Sequence, residues 1–213
     1  MSERSSHRDA ANDTVAFARN FIDGRLQGFN KDIRICLTPA KSETRAGNTY
    51  AYFPALAACC SLLEYLTALF RGNARGIGWQ QVSAFADLYL PQPDYAADTV
   101  LVLFEALRHP VAHRGIATGV WVDRAQQAQS QRRIVWQVNA GARKPACQLR
   151  EEQGKLTRDP PWPTPYSHRM HIYLRQLASD IRKAGKAYST DIGDDATLVR
   201  NFESCMRQLY PVA

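Results

Sequence analysis

The sequence has no CxxC pair, and its five cysteines (Cys36, Cys59, Cys60, Cys147 and Cys205) are odd in number. A zinc ribbon or a dithiol redox motif is therefore unsupported. Neighbours such as Cys59 and Cys60 on a helix point about 100° apart and would not bridge each other. The five read as reduced thiols of a cytosolic protein. No glycine-rich phosphate loop of the GxxxxGK(S/T) or GxGxxG kind occurs, and no GxSxG elbow. Nucleotide-dependent enzymes and hydrolases of those classes have no foothold. No apolar run is read as reaching the roughly 18 to 20 residues of a membrane span. The polar start, Met1 to Asp9, lacks the apolar core of a secretory signal. The expectation is a cytoplasmic chain with no membrane partner. Internal repeats and low-complexity tracts are absent.

What is present fits one ordinary domain. The chain has 213 residues, 45% of them apolar and 22% charged, enough to bury a substantial core. The net charge of +7 is uneven. From Arg124 to Lys186 there are 13 basic and four acidic residues, so this segment carries +9 and the rest −2. Such a segment points to an anionic partner; the alternative is a solvated face with no partner.

Residues 1–12 read as a flexible tail, and 13–213 as a single helical domain. Helical spacing begins after Asn12 or Asp13 and runs through Leu26, weakened by Gly24 and Gly28. Ile33, Ile35 and Leu37 alternate briefly, as in a short strand or extended loop. The strongest helix spans 49–70, with Pro54 tolerated near its start and Gly72 ending it. Two more follow, over about 79–90 and 94–107. Short β-branched and aromatic runs at 119–122, 133–138 and 146–149 read as a small hairpin or sheet. The two last helices are expected over about 166–188 and 194–209. The fold class expected is mainly all-α: an antiparallel helical bundle with a small β insertion near 116–150.

The informative stretch is Phe104-Glu-Ala-Leu-Arg-His-Pro-Val-Ala-His-Arg-Gly115. Arg108 lies on the flank of an apolar stripe, where an isolated charge is costly, so it must be paired or line a site. His113 follows five residues later. On a straight helix that is about 7.5 Å of rise and about 140° of rotation, and the side chains would not meet. Pro110 bends or breaks the helix between them and can let them converge.

The Arg-x4-His spacing, with polar His109 after the arginine, resembles the motif of the HEPN family. The resemblance extends to Leu62-Leu-Glu-Tyr65 on a preceding helix and covers about residues 13–118. It implies a HEPN-like helical bundle acting as a metal-independent endoribonuclease, with no cofactor, and a two-fold homodimer in which each copy supplies one motif. Arg108 and His113 are the implied catalytic pair, and His109 replaces the Asn or Asp common in the family at that place. Toxin, phage-defence or stress-response settings go with such proteins, and with them an antitoxin protein as a partner. The residue types suit the chemistry. A histidine near neutral pKa moves protons at the 2′-hydroxyl or the leaving oxygen. An arginine grips the scissile phosphate and stabilises developing charge.

Two other readings stand beside it. One is a non-catalytic HEPN-like module binding a nucleotide, an RNA or a partner protein. The other is a helical scaffold whose Arg108, His109, His113 and Arg114 merely complement a helix dipole closed by Gly115. Glu64, between Leu63 and Leu66, is a further catalytic candidate, with Arg108 as its natural partner. Arg114, Arg143, Lys144, Arg182 and Lys183 are candidate RNA contacts, as are Lys41, Arg45 and Lys186. His168 and His171, three apart on an expected helix, have a spacing that can hold a metal, but no carboxylate or cysteine cluster supports one. No metal is expected. Trp121, Trp136 and Trp162 can stack on bases but fit better as the core of a small sheet. If Arg108 and His113 share a concave, basic, solvent-reached cleft at a dimer interface, the enzyme reading gains; if they are splayed apart or capped by ion pairs, it loses.

Overall fold

The computed structural model describes residues 2–41, 48–110, 119–124, 131–157 and 162–211. Helix α1 is Ser2–Cys36, β1 Ala40–Lys41, β2 Asn48–Thr49, α2 Tyr52–Arg71, α3 Trp79–Tyr89 and α4 Ala97–Val102. A π-helical turn, Leu103–Arg108, continues α4. Strands β3 Trp121–Val122, β4 Arg133–Asn139, β5 Cys147–Leu156 and β6 Thr164–Tyr173 follow, then α5 Leu174–Asp191 and α6 Ala196–Leu209.

The fold is mixed α/β, which corrects the mainly all-α expectation. The sheet has order β3-β4-β6-β5, with β4 and β6 parallel and the other pairs antiparallel. It is no appendage confined to 116–150, because β6 reaches Tyr173. Ile134, Cys147, Met170 and Ile172 are buried in the same core cluster as the helices. The misread segment is 166–173, taken as the start of a helix because Ile172, Leu174, Leu177 and Ile181 suit helical spacing. Met170 and Ile172 instead alternate on one strand face, and Tyr166 and Tyr173 favour extended backbone. The strand passes directly into α5 at Leu174.

Helix α1 also corrects the reading. It spans Ser2–Cys36, running past Gly24 and Gly28 through the stretch expected to be a short strand or loop. Ala18, Ile22, Leu26, Phe29 and Ile33 are its buried stripe, at spacings of four and three. Ile35 is 73% exposed, so the brief alternation around it is one helical face and its back.

Helix α2 is the central element, touching α1, α3, α5 and α6. By length and composition it could cross a membrane, which the sequence reading did not credit. Here ten of its residues are buried, including Leu56, Leu63, Leu66 and Leu69. Gly72 caps it at φ +72, where a side chain is strained, and a Cβ would lie 3.0 Å from Asn201 Cα. The carbonyls at its end are met from α6. Asn201 donates to Phe70 O, and Ser204 and Gln208 donate to Gly72 O. At Gly185 a Cβ would come within 2.8 Å of Leu26 Cδ2, so glycine there permits close approach of α1 and α5.

Two buried carboxylates tie the layers together. Arg132, at the start of the β4 segment, forks onto Asp98 of α4 at 2.7 Å and onto buried Asp123 at 2.6 Å. Asp180 of α5 accepts from Tyr95 and Gln176. All five cysteines are free thiols, four of them buried.

Candidate functional site

The end of α4 is where the chain departs from regular helix. The His109 N–H bonds to Phe104 O, five residues back, so one extra residue is accommodated before Pro110. The disruption thus precedes the proline instead of arising at it. Leu103, Phe104, Ala106 and Leu107 are buried, and Arg108 emerges beside α2.

Arg108 Nη2 donates to Glu64 Oε2 at 2.7 Å. The side chains are 25% and 17% exposed, mostly out of water. This is the pairing expected from the position of Glu64 between Leu63 and Leu66. His109 is exposed, and its Nδ1 stands 3.4 Å from Arg108 Nη1, a weak contact. One helical turn before Glu64, the Cys60 thiol is pushed up to about 12 by burial and by the Glu64 charge, with Arg108 opposing. Burial likewise pushes the Tyr65 hydroxyl up to about 12, with the nearby Arg25 guanidinium opposing.

The ion pair lies in an open groove of about 310 Å³. Helix α2 contributes Ser61, Glu64, Tyr65 and Ala68 to its wall. Ala74 and Ile77 come from the following loop, and Leu209 from the end of α6. The stripe of α6 explains the last contact: Leu198 and Phe202 are buried, but Leu209 has turned outward to 38% exposure. Beside it Phe17, Phe21, Met206 and Tyr210 line a shallow apolar hollow.

His113 and Arg114 lie outside the described residues, as do the side chains of Lys41 and Arg45. Arg143 and Lys144 sit at the loop before β5, with the Arg143 guanidinium 5.9 Å over the Tyr173 ring. Arg182 and Lys183 are on α5, and Arg182 donates to Asn30 of α1 at 3.2 Å. The described candidate RNA contacts therefore fall in two places, neither lining the Arg108 groove. His168 and His171 are on strand β6, where residues three apart face opposite sides, so the helical metal spacing is not realised. His168 meets Ser167 Oγ at 2.9 Å, and His171 lies 3.9 Å from Glu152. Burial and the nearby Arg150 lower the His171 pKa. Trp121 and Trp136 are half-buried against the core, while Trp162 is 65% exposed.

Sequence reasoning missed Arg34 and Arg175. Together with Arg182 they line a second groove, between α1 and α5. The signal was there as helical spacing: Arg175, Arg182 and Lys186 share one face of α5, seven and four residues apart. Grouping charge by segment hid the contribution of α1.

Comparison with protein-family models, with curated proteins and with solved structures returns no match for this chain.

Proposed function

We propose that the chain acts on RNA as a metal-independent endoribonuclease, with Arg108 and His113 as the reacting pair and Glu64 as the residue that holds Arg108. The observation supporting this reading is the place of Arg108 in the lining of an open groove; its ion pair with Glu64 is the capping that counts against it. A guanidinium has five N–H donors, and the contact with Glu64 occupies one edge. The remaining donors suit a phosphate oxygen. In the reaction, the 2′-oxygen of the substrate bonds to phosphorus and the P–O5′ bond breaks, leaving a 2′,3′-cyclic phosphate and a 5′-hydroxyl. His113 accepts the 2′-proton or donates one to the departing oxygen. The described residues of the resemblance, within 13–110, precede the four-stranded sheet and hold only the two-stranded β1–β2 sheet.

The cytoplasmic setting, the homodimer and an antitoxin partner belong to the same reading. The exposed Phe17 and Tyr210 favour a second copy: their hollow adjoins Leu209 and Tyr65 of the Arg108 groove. A second reading also has an observation behind it. The ion pair offsets the Arg108 charge, which favours a non-catalytic module that holds RNA through its other cations. Incubation with a mixed RNA and with its 2′-O-methyl counterpart separates the two. Cleavage of the first alone supports the enzyme; binding of both without cleavage supports the module.

A further inference from the structure

Some arginines of the described residues form ion pairs, and others, Arg19, Arg133 and Arg150 among them, are held by neutral acceptors. Arg108, Arg132 and Arg169 are each paired with carboxylates: Glu64, Asp98 with Asp123, and Glu152. The α1–α5 groove is different. Arg34, Arg175, Arg182 and Lys186 line two adjoining hollows that share Asn30 and Arg182. None of the four forms an ion pair among the described residues. The carboxylate in this lining is Asp23, at the far end.

The groove arginines are held by neutral groups. Arg182 Nη1 donates to Asn30 Oδ1 at 3.2 Å, and Arg175 Nη2 donates to the Leu37 carbonyl. Such acceptors fix a guanidinium without offsetting its charge. Arg182 and Lys186, four apart on one helical face, repel each other. The cost is answered if an anion sits between them.

We propose that this groove binds the phosphodiester backbone of single-stranded RNA, in a lining that shares no residue with the Arg108 groove. From Asp23 to Arg34 it spans about 16 Å of α1, longer than one phosphate group requires. Its cations come from both α1 and α5, along the line where the two helices meet, which suits one strand laid along that line. No aromatic ring lines it, so the groove reads the backbone and leaves the bases outside. The choice of RNA rests on the reading of the Arg108 site; the anion site itself does not.

The test is fluorescence anisotropy with a short 2′-O-methyl oligouridylate, which binds but lacks the nucleophile for cleavage. Titrations from about 50 to about 200 mM salt give the slope of log affinity against log salt. The combined Arg34→Gln, Arg182→Gln and Lys186→Gln variant is expected to lose about tenfold or more in affinity and about 2 from the slope, at roughly 0.7 per phosphate contact. Arg182→Lys keeps the slope, and an unchanged melting midpoint shows that the fold is intact. Arg108→Ala alters the slope by no more than about 0.7. Equal slopes for the unchanged chain and the triple variant overturn the proposal. So does inorganic pyrophosphate binding as tightly as the oligonucleotide, which would assign the groove to a small free anion. Absence of cleavage on unmodified RNA, with the slope loss present, removes the endoribonuclease reading and leaves the groove.

Discussion

Glu64 and Arg108, 44 residues apart in sequence, meet at 2.7 Å across the contact of α2 with the π-helical turn. Each explains the other. The glutamate interrupts the long apolar helix α2, and the arginine ends a π-helical turn. Neither side chain would be stable in that half-buried place alone.

Their coupling is measurable. Arg108→Ala and Glu64→Ala should each lower stability by about 1–3 kcal/mol, because each strands a charge out of water. The double variant should cost less than the sum of the singles, by about 0.5–3 kcal/mol. Urea denaturation of the four proteins gives the cycle; strictly additive costs would deny that the pair interacts.

The Arg132 fork is the stronger structural tie. Asp123 is 2% exposed and depends on it. Arg132→Ala should cost about 3–5 kcal/mol, since it removes the guanidinium shared by Asp98 and the buried Asp123. A thermal melt within a degree of the unchanged chain would show that the fork contributes little.

Alkaline pH should weaken the fold. The Cys60 thiol holds its proton more tightly folded, at about 12, than its ordinary value of 9.0. Unfolding therefore releases a proton. This stabilisation is complete below pH 9 and is lost as pH rises toward 12. Cys60→Ala should flatten the decline in urea midpoint between pH 8 and pH 10. A decline of equal steepness would assign it to other groups, such as Tyr65.

The apolar hollow beside the Arg108 groove predicts self-association. Phe17 is 54% exposed and stacks on Phe21 at 5.9 Å. Phe17→Glu should shift sedimentation from dimer to monomer while leaving the melting midpoint nearly unchanged. A chain that is monomeric without the substitution contradicts the two-fold arrangement.

The helices were legible where a stripe was long. The buried faces of α2, α5 and α6 stand out because apolar residues recur at three and four. Pairing of Glu64 with Arg108 was legible for the same reason: a charge amid Leu63 and Leu66 demands a partner. The sheet was legible only in part. Its central strand β6 is rich in histidine, arginine and tyrosine, and just Met170 and Ile172 mark its buried side, too few to outvote the helix that follows. The π turn was illegible, because it arises from packing Leu103 to Leu107 against neighbours and has no spacing of its own. The α1–α5 groove joins cations 141 residues apart, Arg34 and Arg175, which only the packing around Gly185 brings together.

The measurement that tests the central claim is cleavage of a mixed RNA in EDTA by the unchanged chain, Arg108→Ala and His113→Ala. The account predicts products with 2′,3′-cyclic phosphate ends from the unchanged chain alone. No cleavage, or equal cleavage by all three, would contradict it.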